Sequence, residues 1–183
     1  MTIAEHSFDA WRLPERPVVL DVGCRGFGFG DGIRQLRPGA QLFELDIDDL
    51  GTARDYHRVG IAGYDGFGGI SDHAEPFARK LIAGHDIQVY TLESFSRLHG
   101  VARWDIVKLD CEGSEFHALL GLGAPIADQI SVEFHPWGGW TFADVDRVVQ
   151  RLSRWYVVER HVKTAMAGME PNYWDSLFIK RGL

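Results

Sequence analysis

The chain has 183 residues, 45% of them hydrophobic and 25% charged, with a net charge of −7: by length and balance one globular domain that can bury a core without disulfides or metals. The acidic balance, with no clustered Lys and Arg, argues against a nucleic-acid surface. No apolar run approaches a membrane span, the N-terminus lacks the basic and apolar regions of a signal peptide, and two cysteines make no disulfide framework, so a cytoplasmic location is expected.

Residues 1–16 read as an irregular arm with Trp11 as its anchor, ahead of one domain over 17–183. The run from Pro17 to Val22 predicts a buried strand that ends in a glycine-rich turn. A helix over Asp31–Leu36 stops at Pro38-Gly39, and Gln41–Asp46 gives a second strand ending in acids. His57–Ala62 predicts a third strand, followed by a glycine-heavy loop and a helix around Glu75–Ala83. Next come a short strand at Gln88–Tyr90, a helix from Leu92 to His99, a strand over 105–110 and a helix over 114–121. Gln129–Phe134 is a further strand, and Thr141 caps a helix carrying Phe142, Val145, Val148, Val149 and Leu152. Trp155–Arg160 and Ser176–Arg181 close the chain as two strands. Strands alternating with helices predict a single Rossmann-like α/β domain: a mostly parallel seven-stranded sheet with an antiparallel closing strand and helices on both faces.

The turn after the first strand runs Asp21-Val22-Gly23-Cys24-Arg25-Gly26, with further glycines at 28, 30 and 32. Glycines let a backbone turn tightly and approach a ligand. Glu44, ending the second strand, lies 18 residues after Gly26, near the offset of an acid that binds ribose hydroxyls. The dinucleotide pattern G-x-G-x-x-G fails in every register, and no Gly-Lys-Ser/Thr follows, which disfavours NAD, FAD and P-loop nucleotides. S-adenosylmethionine, a nucleoside without phosphates, fits what remains; a purely structural turn is the plainer alternative.

The block Trp104–Leu122 empties a buried strand into Asp110, Glu112 and Glu115 and then starts a helix. That layout belongs to the ligand-binding edge of an open α/β sheet. Together with Asp21–Gly26, Phe43-Glu44, Thr91–Phe95 and Val132–His135, the block Asp105–Glu115 resembles the successive motifs of FkbM-type methyltransferases, over roughly residues 17 to 181. The resemblance implies a class I fold, S-adenosylmethionine as cofactor and methylation of a hydroxyl on a sugar or other natural product. It further implies a cofactor site of Asp21, Gly23, Cys24 and Gly26 at the methionine moiety, Glu44 at the ribose and Asp65 near adenine. Asp110 and Glu112 would stand at the methyl-transfer end. Arg25 and Phe27 in the turn, and Leu45 in place of a proline, depart from the pattern.

An alcohol nucleophile must lose its proton, so a base or a metal is needed at the strand ends. Glu133 and His135 end the strand after Asp110 and fall on one side of it by period-2 alternation. His135 is the expected base because its ordinary pKa lies near neutrality. Asp110, Glu133 and His135 also have donor types suited to Mg²⁺ or Mn²⁺, although carboxylates that bond helix-start amides explain them equally and no metal is required. Glu115 fits such a helix-dipole role. Trp137 and Trp140 are candidate walls of an acceptor pocket, or else packing beneath the next helix. Tyr173 is a further substrate candidate and Met169 a weaker one. The acceptor is expected to be a small molecule or a glycan, and oligomeric state is open. A non-catalytic relative is the first alternative, and a nucleotide-dependent oxidoreductase the second.

Overall fold

Apolar runs bounded by turn residues become the strands of the chain, and the computed structural model describes residues 1–51, 54–72, 79–135, 139–164 and 173–182. In chain order these are β1 (Thr2–Ile3), β2 (His6–Ser7), a 3₁₀ turn (Ala10–Arg12), β3 (Val18–Val22), α1 (Gly28–Leu36), β4 (Gln41–Asp46), β5 (His57–Arg58) and β6 (Gly60–Ile61). Then follow β7 (Gly66–Asp72), β8 (Arg79–Ala83), β9 (Ile87–Tyr90), α2 (Leu92–Leu98), β10 (Trp104–Leu109), α3 (Glu115–Gly121), β11 (Ala127–Phe134), α4 (Phe142–Leu152), β12 (Tyr156–Thr164) and β13 (Tyr173–Lys180).

A mixed seven-stranded sheet runs in the order β12-β13-β11-β10-β3-β4-β5. β11, β10, β3, β4 and β5 are parallel, whereas β13 lies antiparallel to both β11 and β12. Helices cover both faces. On one face Val19 and Ile106 pack against Phe29 and Ile33 of α1 and against Phe8 and Leu13 of the N-terminal arm. On the other, Leu20, Val107 and Ile130 meet Phe95 of α2, Phe116 and Leu119 of α3, and Val145, Val148 and Leu152 of α4. Central strands covered on both faces need near-continuous apolar residues, and β10 obeys this except at Asp105 and Lys108. Among the described residues no helix is long and apolar enough to cross a membrane.

Three expectations are corrected. Trp11 does not anchor the arm: it is 98% exposed, while Phe8 and Leu13 are buried. The arm is not irregular either, because β1 and β2 form an antiparallel hairpin. In place of a helix around Glu75–Ala83, residues Arg79–Ala83 form β8, antiparallel to β7, and residues 75–78 lie outside the described set. Short apolar runs fit either period; here the partner strand decides. The glycines of this region admit Leu81, since a Cβ on Gly68 would lie 2.7 Å from its side chain. β7, β8, β9 and β6 make a separate four-stranded sheet, so the expected strands at 57–62 and 88–90 are divided between two sheets.

Candidate active site

Strand register sets one polar row across the face that carries α1 and the arm. Glu44 pairs with Asp21, Asp21 with Lys108, and Lys108 with Ser131. Lys108 is 3% exposed. Its Nζ lies 3.1 Å from Asp21 Oδ1 and 3.5 Å from Asp110 Oδ2, and it donates to the carbonyls of Val22 (3.2 Å) and Gly23 (2.6 Å). Burial opposes its charge, but Asp21 and Asp110 outweigh burial and hold its pKa above the usual lysine value. A lone lysine inside an apolar strand was the signal in the sequence, and spacing gave it no role.

The next row, at the carboxyl ends of β10 and β11, brings together Asp110, Glu112, Glu133 and His135. Glu115, at the start of α3, is fully buried. It accepts the amides of Cys111 (2.7 Å) and Gly113 (2.8 Å) and faces His135 Nδ1 at 3.1 Å. It therefore does more than offset a helix dipole: it fixes the imidazole. His135 Nε2 lies 3.0 Å from Glu133 Oε1 and 3.8 Å from Asp110 Oδ1. Both ring nitrogens of the expected base are thus engaged. Burial would lower the His135 pKa, but Glu115, Glu133 and Asp110 raise it well above the ordinary value.

The carboxylates separate by environment. Burial would raise Asp110, yet Lys108, His6 and His135 hold it well below the usual range. Burial raises Glu133 against the hydrogen bond from His135. Glu112 adopts φ +57°, and burial pushes it up to about 7 despite His135, with Asp110, Glu115 and Glu133 adding to the rise. Its Oε2 is buried without a hydrogen-bond partner among the described residues.

The N-terminal hairpin contributes a residue that spacing could not find. His6 is 3% exposed; its Nε2 lies 3.4 Å from Asp110 Oδ2 and its Nδ1 3.5 Å from Ser131 Oγ. The glycines of α1 seat this hairpin. A Cβ on Gly32 would lie 2.3 Å from Ile3, and one on Gly28 would lie 3.3 Å from Ala4. Gly30 likewise makes room for Glu44, at 2.0 Å.

Among the turn residues, Gly23 (φ +78°) packs on the backbone, where a Cβ would meet the Asp110 carbonyl at 1.7 Å. The amides of Gly23 and Cys24 both donate to the Leu45 carbonyl. Cys24 is buried and Cys111 half-buried, both free, and burial raises both thiols. Only Gly26 keeps a positive φ (+76°) with open space beside it within this turn. Arg25 pairs with Asp48. Asp21 is fully buried, with Oδ1 held in the ion pair with Lys108 and Oδ2 without a hydrogen-bond partner among the described residues. Glu44 is gripped by Arg34 (3.1 and 2.8 Å) and Arg54 (3.1 Å). Asp65, between β6 and β7, faces the start of α2, accepting Thr91 N–H at 2.7 Å and the Ser94 hydroxyl at 2.5 Å.

Trp140 stacks on Phe116 of α3 at 4.7 Å and abuts His117, so it packs on that helix. Tyr173 is buried with its ring 6.2 Å from His135; burial, then Glu133 and Glu5, push it up to about 12. Trp137 and Met169 lie outside the described residues.

The family model described as Methyltransferase FkbM domain matches residues 38–157. No curated protein matches the chain. Among solved structures, precorrin-6y C5,15-methyltransferase from Geobacter metallireducens GS-15 shares 14% identity at a TM-score of 0.50, covering 93% of this chain and 83% of that one. Methyltransferase FkbM from Methylobacillus flagellatus KT shares 15% identity at a TM-score of 0.50, covering 96% of this chain and 48% of that one. The chain thus spans about half the length of that second structure. At such identities the likeness is one of fold.

Proposed function

Because the chain belongs to the FkbM family of S-adenosylmethionine-dependent methyltransferases, we propose that it methylates a hydroxyl oxygen of a sugar or secondary-metabolite acceptor, a small molecule or a glycan. The observation that carries this reading is the unspent carboxylate oxygen of Glu112 beside His135 and Asp110. The neighbouring acids are engaged: Asp110 by Lys108 and His6, Glu133 by His135, and Glu115 by two amides and His135. Glu112 is then the proton acceptor for the hydroxyl, and the expected role of His135 as base shifts to orientation and charge stabilisation.

The residues of the first turn fit the cofactor at its methionine end. Asp21 offers a buried oxygen, Oδ2, without a hydrogen-bond partner among the described residues, and Gly26 leaves its side of the turn open. S-adenosylmethionine, when bound, supplies an electrophilic methyl group on a sulfonium. Lys108 holds the turn through the Val22 and Gly23 carbonyls, and Asp110 stands between the turn and the acceptor edge. Glu44 takes the ribose by exchanging a guanidinium for hydroxyls, which weakens binding. That engagement is what favours the alternative of a non-catalytic relative. Trp137 and Tyr173 remain the proposed acceptor contacts, and Asp65 the adenine contact.

Thermal unfolding with S-adenosylhomocysteine tests the cofactor. At a hundredfold excess over Kd the ligand stabilises by about 2.7 kcal/mol, a rise of roughly 5–11 °C for a chain of this size. Mass spectrometry of hydroxylated acceptors then tests transfer, and Glu112→Gln should lower kcat about 10²–10⁴-fold with cofactor binding kept. No stabilisation refutes the cofactor site; binding without methylation on any acceptor supports the non-catalytic relative.

A further inference from the structure

We propose that His6, Asp110, Glu133 and His135 bind one divalent first-row transition-metal ion, with the N-terminal hairpin contributing a ligand. The donor atoms converge: His6 Nε2 is 3.4 Å from Asp110 Oδ2, and His135 Nε2 is 3.0 Å from Glu133 Oε1 and 3.8 Å from Asp110 Oδ1. Donors of His6, Asp110 and Glu133 all lie within 4.8 Å of one another, and so do those of Asp110, Glu112 and His135, the two groups sharing Asp110. A tetrahedral ion with bonds of about 2.0–2.1 Å sets its ligands roughly 3.3–3.4 Å apart; the His6 and Glu133 separations come close to that value, and Asp110 turns one carboxylate oxygen toward each imidazole.

The surroundings of the two imidazoles make this more than a group of acids. Metal-binding histidines present one nitrogen to the ion and hold the other against a hydrogen-bond partner that fixes the ring. Here both rings are set this way. Nδ1 of His135 faces the buried Glu115 carboxylate at 3.1 Å, and Nδ1 of His6 faces Ser131 Oγ at 3.5 Å, leaving each Nε2 toward the carboxylates.

The hairpin is built to deliver His6. Ala4 and Glu5 turn it with φ +45° and +70°, strained values for residues with a side chain. Glycines at 28 and 32 of α1 admit Ala4 and Ile3 beneath it. Asp110 and Glu133 supply the anionic donors that a divalent ion needs, with Lys108 held on Asp21 and Asp110 beside them. Paired imidazole and carboxylate donors suit Mn²⁺, Fe²⁺, Co²⁺ or Zn²⁺ rather than Mg²⁺, which prefers oxygen. An ion here would polarise an acceptor hydroxyl; that use rests on the O-methyl-transfer reading, whereas the binding does not.

The test uses the full chain with a C-terminal tag free of histidine, stripped by chelator. Added Co²⁺ should give visible d–d absorption, and calorimetry with Co²⁺, Mn²⁺ and Zn²⁺ should give one ion per chain. His6→Ala and Glu133→Gln should each weaken binding at least ~10-fold, while His85→Ala, at an exposed position, binds as wild type. Circular dichroism checks each fold. If Glu133→Gln fails to fold, His6→Ala decides, since its side chain hangs from the hairpin and not from the sheet. No binding by wild type, or equal binding by wild type and His6→Ala, overturns the site. Metal binding without methyl transfer counts against the proposed function and leaves this site standing.

Discussion

Replacing Lys108 with methionine tests the polar row most directly. The change keeps a long side chain but removes the cation 3.1 Å from Asp21 and the donor to the Val22 and Gly23 carbonyls. Asp21 is fully buried with Lys108 as its ion-pair partner, so its charge would be left without compensation. Breaking a buried pair from one side costs about 3–5 kcal/mol. With a urea m-value of about 2 kcal/mol/M, the midpoint should fall by roughly 1.5–2.5 M. Removing both charges avoids the stranded carboxylate, so Asp21→Val/Lys108→Met should recover at least half of the loss. Urea unfolding followed by tryptophan fluorescence reads both variants. A Lys108→Met midpoint within about 0.3 M of wild type, or a double variant weaker than the single, would refute the pairing as the reason for a lysine in β10.

The glycines should separate by what faces them. Gly23→Ala drives a Cβ into the Asp110 carbonyl and should prevent folding, whereas Gly26→Ala meets open space and should cost only about 1–2 kcal/mol for its left-handed backbone; similar losses in thermal unfolding would contradict this. Phe8→Ala should cost about 3–5 kcal/mol, while Trp11→Ala, at a side chain open to solvent, should stay within about 0.5 kcal/mol of wild type in the same urea assay. Glu115→Gln sets an amide hydrogen against the Cys111 and Gly113 amides or His135 and should lose about 1–3 kcal/mol; an unchanged midpoint would show that the carboxylate is not needed there. Asp65 has its pKa lowered first by the Ser94 hydroxyl and then by the Thr91 amide. Its folded pKa lies below the unfolded value of 3.8, so its contribution is present above that pH and is lost as pH falls through the lower folded value. Asp65→Ala should therefore destabilise at neutral pH, and unfolding curves should show the difference from wild type shrinking in acid.

Much of the sheet was legible because it depends on local pattern. Gln41–Asp46 reads as a strand and is one, and Thr141 starts a helix as its side chain predicts, held by Asp144, which accepts its amide and hydroxyl. The edge carrying Asp110, Glu112, Glu133 and His135 was legible too, since each acid or imidazole ends a strand whose neighbour could be guessed. β8 was not: the short apolar run Leu81-Ile82-Ala83 becomes strand or helix according to what lies beside it, and no local pattern names β7 as its partner. The packing role of the glycine-rich stretch was not legible: the missing side chains of Gly23, Gly28, Gly30 and Gly32 make room for Asp110, Ala4, Glu44 and Ile3.

By itself the sequence determined which residues end the central strands, and with them the acids and the imidazole available for chemistry, because alternation and strand length act between near neighbours. Only the tertiary structure decided how those groups are used. His6 reaches Asp110 across 104 residues of chain, Lys108 finds Asp21 through strand register, and Glu115 turns from helix cap to the partner of His135. Each of these pairings joins segments far apart in the chain, where burial strips away water and leaves every charge to be balanced by whatever the fold brings beside it.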